Sequence, residues 1–227
     1  MSVTTFEYSP GLGVDAYGEH TAPTVLLWHG LQRHSRAALG PLAGALAARG
    51  LQVVVPDWDA RADDRGRSAL LASVEFAQRR AAEPAGLVVV GWSMGGAAAA
   101  GLTLGADRLG VPVAHTVTLA GAVMADDPFT GVALDDVLRS SSAARTPFTL
   151  LHGVADDVVP TETSRVFAEQ LQACGRRAEY VELAADHGSI AGARFDPSAD
   201  RYDPSDDPRT LAVADDVASR IATAAGR

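Results

Sequence analysis

The chain has 227 residues, 47% of them hydrophobic and 21% charged, which is enough apolar material for a sizeable core and carries no signature of disorder. Its formal net charge of -9 argues against binding nucleic acid and against docking on an anionic membrane surface. A single cysteine, Cys174, excludes an internal disulfide and a cysteine-rich zinc cluster.

The opening "MSVTTFEYSPGLGV" lacks the basic and apolar stretches of a signal peptide, and no apolar run approaches the ~18 residues of a membrane span. A cytoplasmic protein is therefore expected, with one domain over residues 1–227. The segment "TTFEYSPGLGVDAYGEH" places two short polar–apolar runs around Pro10-Gly11, which predicts an antiparallel hairpin at a sheet edge. Short apolar runs then alternate with alanine-rich segments of helical length. The strands predicted are Thr24–Gly30, Leu51–Trp58, Gly86–Ser93, Val113–Gly121, Phe148–Gly153 and Ala178–Ala184. Several are continuously apolar, as central parallel strands covered on both faces are.

Helices are predicted over Ser35–Arg49, Gly66–Ala82, Met94–Leu104, Thr161–Cys174 and Pro208–Ala225. Gly50 acts as a stop after the first, and Pro160-Thr161 as a start before the fourth. This repetition implies a mostly parallel, doubly wound α/β sheet with right-handed crossovers. The segment Phe195–Val217, dense in aspartate and proline, reads as a solvated loop running into the last helix, with no metal site expected.

In such a sheet, ligands bind in loops at the carboxyl ends of the strands. "LVVVGWSMGGAAAAGL" puts Ser93 at one of these ends, between Gly91 and Gly95. A nucleophilic serine must project from a sharp strand-to-helix turn, and a turn that tight leaves no room for flanking side chains. "GWSMG" is the Gly-x-Ser-x-Gly pattern that results, and Gly96 adds clearance. The helix beginning at Met94 aims free N–H groups and the positive end of its dipole at the site.

A serine hydroxyl needs a base, and the base a carboxylate to orient it. "FTLLHGVADDVVP" ends one strand and offers Asp156 and Asp157; "YVELAADHGS" ends the last strand and offers His187. Of the other histidines, His20 precedes the first core strand, His115 lies within a strand and His34 in a loop. His29 and His152 close strands before glycine and read as loop stabilisers. At strand-to-helix serine turns of this kind the order along the chain is serine, acid, histidine, and only His187 satisfies both that order and the location.

The segments "LLWHGL", "VVVPDWD", "GWSMGG", "LLHGVADDVVP" and "ADHG", spread over Thr24 to Gly188, resemble α/β-hydrolases, and among them small dienelactone-hydrolase-like and carboxylesterase-like members with little cap. The resemblance implies an α/β-hydrolase fold and a catalytic aspartate in the pattern H-G-x-x-D-x-x-V-P. Laid over His152 to Pro160, that pattern selects Asp156, with Asp157 the alternative. It also implies an oxyanion hole made by the backbone N–H groups of Met94 and Leu31. Dienelactone hydrolases use a cysteine nucleophile where this chain has Ser93, which separates the hydrolase chemistry from the dienelactone substrate.

Between Gly121 and Thr146 there is room for only a short flap, about 122–146, of one or two helices, which implies a shallow pocket for small or medium acyl groups. Its mouth is expected to include Leu31, Trp58, Trp92, Met124 and Phe129, although Trp92 can equally pack beneath the turn. Arg33, His34 and Arg36 read either as a clamp for an anionic substrate or as a solvated basic helix start. The expectation is a serine hydrolase of esters, thioesters or lactones acting through Ser93, His187 and Asp156, with a small-molecule acyl substrate. No cofactor or metal is expected, and the protein would be a monomer or homodimer. The competing readings are an acyltransferase or perhydrolase using the same residues, and a non-catalytic binding protein that has kept the fold.

Overall fold

The computed structural model describes residues 3–81, 86–141 and 146–227. Strands β1 (Val3–Ser9) and β2 (Leu12–Tyr17) form the antiparallel hairpin, turning at Pro10-Gly11. Then follow β3 (Thr24–Trp28), α1 (Gly40–Ala48), β4 (Gln52–Pro56), α2 (Arg67–Arg80), β5 (Leu87–Trp92) and α3 (Met94–Leu104). A one-turn helix, α4 (Ala106–Leu109), leads to β6 (Val113–Leu119), α5 (Leu134–Ser140), β7 (Phe148–Gly153), α6 (Thr161–Ala173) and β8 (Ala178–Leu183). The chain ends with β9 (Ala193–Asp196), β10 (Arg201–Pro204) and α7 (Pro208–Ala224).

Among the described residues, one eight-stranded sheet runs in the order β1-β2-β4-β3-β5-β6-β7-β8. The hairpin is antiparallel to β4, and the strands from β4 to β8 pair in parallel. The continuous apolar runs are explained by two cores that take alternate side chains. In β3, Val25 and Leu27 enter the core shared with α1 and α7, whereas Leu26 and Trp28 enter the one shared with α2 and α3. β5 divides in the same way, with Val88, Val90 and Trp92 on the first side and Val89 on the second. No helix among the described residues is long and apolar enough to cross a membrane.

Two expectations differ from the structure. The segment after Phe195 is not a plain loop: β9 and β10 pair antiparallel, Phe195 opposite Tyr202, in a two-stranded ribbon. Its arms "ARFD" and "RYDP" alternate polar and apolar residues around a Pro-Ser-Ala-Asp turn, a period-2 signal masked by the surrounding charge. The first helix begins later than Ser35, after a 3-10 turn over Arg36–Leu39, so that Pro41 falls in its first turn. The flap contains one described helix, α5; its residues 142–145 lie outside the described residues, as does Ala82 at the predicted end of α2.

The sheet reverses its direction of winding between β3 and β5, since β4 lies on one side of β3 and β5 on the other. Ligand crevices in open α/β sheets form at the carboxyl ends of strands at such a point. The loop after β3 and the turn after β5 meet there.

Candidate active site

Ser93 follows β5 with φ 57° and ψ -120°, a conformation that residues other than glycine rarely adopt. Holding it costs about 1–3 kcal/mol, so the surroundings must impose it. They do so by close approach. A Cβ on Gly91 would lie 1.9 Å from the Gly95 carbonyl oxygen, and one on Gly95 would lie 2.4 Å from the Trp28 carbonyl oxygen. The Ser93 N–H donates to the Leu119 carbonyl at 3.0 Å, and the Ser93 carbonyl accepts from Ala122 and Gly96 at 2.9 Å each. Gly91→Ala is expected to destabilise the fold by at least about 1–3 kcal/mol, read as a lowered urea midpoint, because backbone on both sides of the turn would have to separate.

The loops after β7 and β8 converge on this turn. His187 Nδ1 lies 2.8 Å from Asp156 Oδ2. Asp156 Oδ1 accepts the N–H groups of Val158 at 2.8 Å and Val159 at 2.9 Å. His152 Nε2 approaches the same Oδ2 at 3.2 Å and the Val159 carbonyl at 2.9 Å, while its Nδ1 is 2.8 Å from the Ser164 hydroxyl. Burial alone would raise the Asp156 carboxyl, but hydrogen bonds from His152, His187 and the Val159 amide hold it well below the usual carboxylate range. An ionised carboxylate only accepts, so the proton of a neutral His187 sits on Nδ1 and Nε2 keeps its lone pair. The imidazole is also held from behind. Asp186 Oδ1 accepts the Gly188 and Ser189 amides, and Trp92 Nε1 donates to the His187 carbonyl at 2.7 Å.

A cavity of about 740 Å³ opens over Ser93, and His187, Met94 and Leu31 share its wall. Neither the Met94 nor the Leu31 N–H has an acceptor among the described residues, so both amides are free donors beside this space. Behind Leu31, His29 is fully buried; its Nδ1 lies 2.9 Å from the Gly30 carbonyl, and its Nε2 accepts from the Trp58 N–H at 3.2 Å. Desolvation pulls His29 below the ordinary imidazole value, which keeps it neutral with its proton on Nδ1.

Of the residues expected at the mouth, Leu31 and Met124 line the cavity and are exposed. Trp92 also lines it but is only 2% exposed, packed under the turn with its indole N–H on the His187 carbonyl. Trp58 and Phe129 do not reach the cavity, which corrects their expected place. Trp58 stands at the end of β4, on the far side of β3, and its Nε1 donates to the His29 carbonyl at 3.0 Å. Phe129 is turned inward by Asp127, which accepts its N–H at 3.0 Å, and packs against Trp28 with ring centroids 6.4 Å apart.

Asp156, not Asp157, meets His187; Asp157 lines a neighbouring groove with Asp186 and Arg194. Arg36 turns away from the cavity into ion pairs with Asp15 and the buried Asp57, so it is no part of a substrate clamp. Arg33 lines the cavity but is paired with Asp59 at 2.8 Å, and His34 is exposed. Sequence reasoning missed Gln32, Arg61, Val158, Phe195 and Tyr202, all on the cavity wall. Among the described residues, no group of three or more His, Cys, Asp or Glu side chains is arranged to hold a metal ion.

Residues 25–227 match the model of a family described as "Alpha/beta hydrolase family". Among curated proteins, none matches this sequence. Among solved structures, esterase 2 of Thermogutta terrifontis, phosphorylated by paraoxon, is 21% identical, with 96% of this chain and 94% of that chain covered and a TM-score of 0.70. The butyrate-bound form of that esterase gives 20%, 96%, 94% and 0.69. MGS-M1, an alpha/beta hydrolase enzyme from a Medee basin deep-sea metagenome library, gives a TM-score of 0.71 at 15% identity over 100% of this chain and 99% of that one. At these identities the likeness is one of fold.

Proposed function

The chain belongs to the alpha/beta hydrolase family, and within it we propose that this protein is a serine hydrolase of small to medium carboxylic esters, thioesters or lactones. The observation that carries the reading is the strained Ser93 on the floor of a cavity whose wall includes His187, itself bonded to a buried, ionised Asp156. The Thermogutta esterase, whose butyrate-bound form shares the fold, supports a short acyl group.

In this reading Ser93 Oγ attacks the carbonyl carbon while His187 Nε2 takes its proton. The oxyanion of the tetrahedral intermediate accepts from the Met94 and Leu31 amides, with the α3 dipole behind them. His187 returns the proton to the leaving oxygen, which departs with the electrons of the cleaved bond. Water, deprotonated by the same nitrogen, then releases the acid from Ser93. Asp156 holds the imidazole in the productive tautomer and balances its transient charge.

The test is hydrolysis of p-nitrophenyl esters from acetate to palmitate, with labelling by paraoxon followed by peptide mass spectrometry. Turnover falling with acyl length, and a phosphoryl adduct on Ser93, are expected. No turnover and no adduct would leave the fold as a binding scaffold. An adduct with a long-chain optimum would keep the chemistry and overturn the short acyl site.

A further inference from the structure

Gln32 follows directly on Leu31, whose amide is the second oxyanion donor in the reading above. Its carboxamide engages both backbone groups of one residue 170 positions away: Nε2 donates to the Tyr202 carbonyl at 3.0 Å, and the Tyr202 N–H donates to Oε1 at 2.6 Å. In an antiparallel ribbon both backbone groups of a residue point to the same side, so those of Tyr202 face out of the ribbon here and Gln32 fills the place of a neighbouring strand. The Tyr202 ring in turn lies 5.8 Å from the His187 ring and meets Trp92 edge-on at 5.1 Å. Trp92 closes the circuit through its bond to the His187 carbonyl. The oxyanion loop, the ribbon and the base are thereby joined around the cavity mouth.

We propose that Gln32 is a positioning residue, which sets the separation between the Leu31 amide and His187 by latching the loop after β3 onto β10. The inference rests on the ester hydrolase reading. Its physical basis is that the amide must meet the developing oxyanion while His187 meets the serine and leaving-group oxygens, and these groups come from opposite walls. Secondary structure does not join the loop after β3 to the ribbon; the carboxamide does. A latch acts on the transition state, so it appears in kcat, and it acts equally on every ester. A side chain that merely touches substrate would appear in KM or change with the acyl group.

The experiment compares wild type, Gln32→Leu and Gln32→Glu on p-nitrophenyl acetate and hexanoate. Gln32→Leu is expected to lose about 10–100-fold in kcat, by the same factor on both esters, with KM nearly unchanged. Gln32→Glu is the more selective probe. Its ionised carboxylate cannot donate to the Tyr202 carbonyl, but the neutral acid has one donor and one acceptor like the amide. The ratio of its kcat to that of wild type should therefore climb between about pH 7 and about pH 5, as the group approaches its ordinary value near 4.3. A Gln32→Leu enzyme within about threefold of wild type, a loss confined to KM or to one ester, or a flat Gln32→Glu ratio would overturn the latch. If Gln32→Leu fails to fold, the Gln32→Glu ratio decides alone. Absence of Ser93-dependent turnover in wild type would instead bring down the hydrolase reading, and the latch with it.

Discussion

Replacing Ser93 with alanine is expected to lower kcat on p-nitrophenyl acetate by about 10⁴–10⁶-fold, because no other group is placed to form the acyl intermediate. Folding should be unaffected, since the cavity-side hydroxyl makes no hydrogen bond that holds the turn, whose bonds run through backbone atoms. Ser93→Gly adds a second readout. Glycine adopts φ 57° and ψ -120° without a clash, so this variant should be equally inactive yet more stable, by about 1 kcal/mol after the greater chain entropy of glycine is deducted. Steady-state kinetics and urea midpoints on the same preparations separate the two effects. An active Ser93→Ala enzyme would remove Ser93 from the chemistry. A Ser93→Gly protein less stable than wild type would mean the turn is held without strain.

Asp156→Asn should lower kcat by about 10⁴-fold, for a reason visible in the surroundings of the carboxylate. Oδ1 accepts two amide N–H groups and Oδ2 faces His187 Nδ1 and His152 Nε2, so every neighbour is a donor. An asparagine, turned either way, sets its own N–H₂ against two of them. The imidazole then loses the partner that keeps its proton on Nδ1. The same substitution should flatten the acid limb of stability. Asp156 is held below its unfolded value, so its contribution is fully present above about pH 4 and is lost as the pH falls through the folded-state value. Urea midpoints at pH 7 and pH 3 should diverge more in wild type than in Asp156→Asn. Equal divergence would mean the carboxylate is not the group being titrated.

The locally encoded part of this molecule was legible. The alternation of apolar runs with alanine-rich segments predicted β3 to β8 and the longer helices to within about five residues, because two-sided burial of β3, β4 and β5 demands such runs. The hairpin followed from Pro10-Gly11, and the turn at Ser93 from glycines whose absent side chains are a steric requirement at contact distance. Between Asp156 and Asp157 the residues alone did not choose; a motif resemblance favoured Asp156, and the carboxylate at His187 is Asp156. His152, read as a loop stabiliser, does bond the Val159 carbonyl, but it also reaches the carboxylate that faces His187.

The cavity wall was a different matter. Trp58 and Phe129 look like mouth residues by type and distance along the chain, yet a hydrogen bond to the His29 carbonyl and a turn set by Asp127 direct them into the core. Arg33 and Arg36 are three residues apart and equally basic; the buried Asp57 takes Arg36, leaving Arg33 on the cavity wall beside Asp59. Phe195 and Tyr202 reach the site only because a short ribbon folds back over His187, and Gln32 meets that ribbon from 170 residues away. By itself, then, the sequence determined the sheet and the turn that lifts Ser93 out of it, because periodicity and steric clearance act between residues close along the chain. The tertiary structure decided which of the expected side chains reach that serine and which unexpected ones join them, because the wall is built from loops after different strands. The polar ones are aimed by partners that only the folded chain brings near: Trp58 by the His29 carbonyl, Arg36 by Asp57 and Gln32 by the backbone of Tyr202.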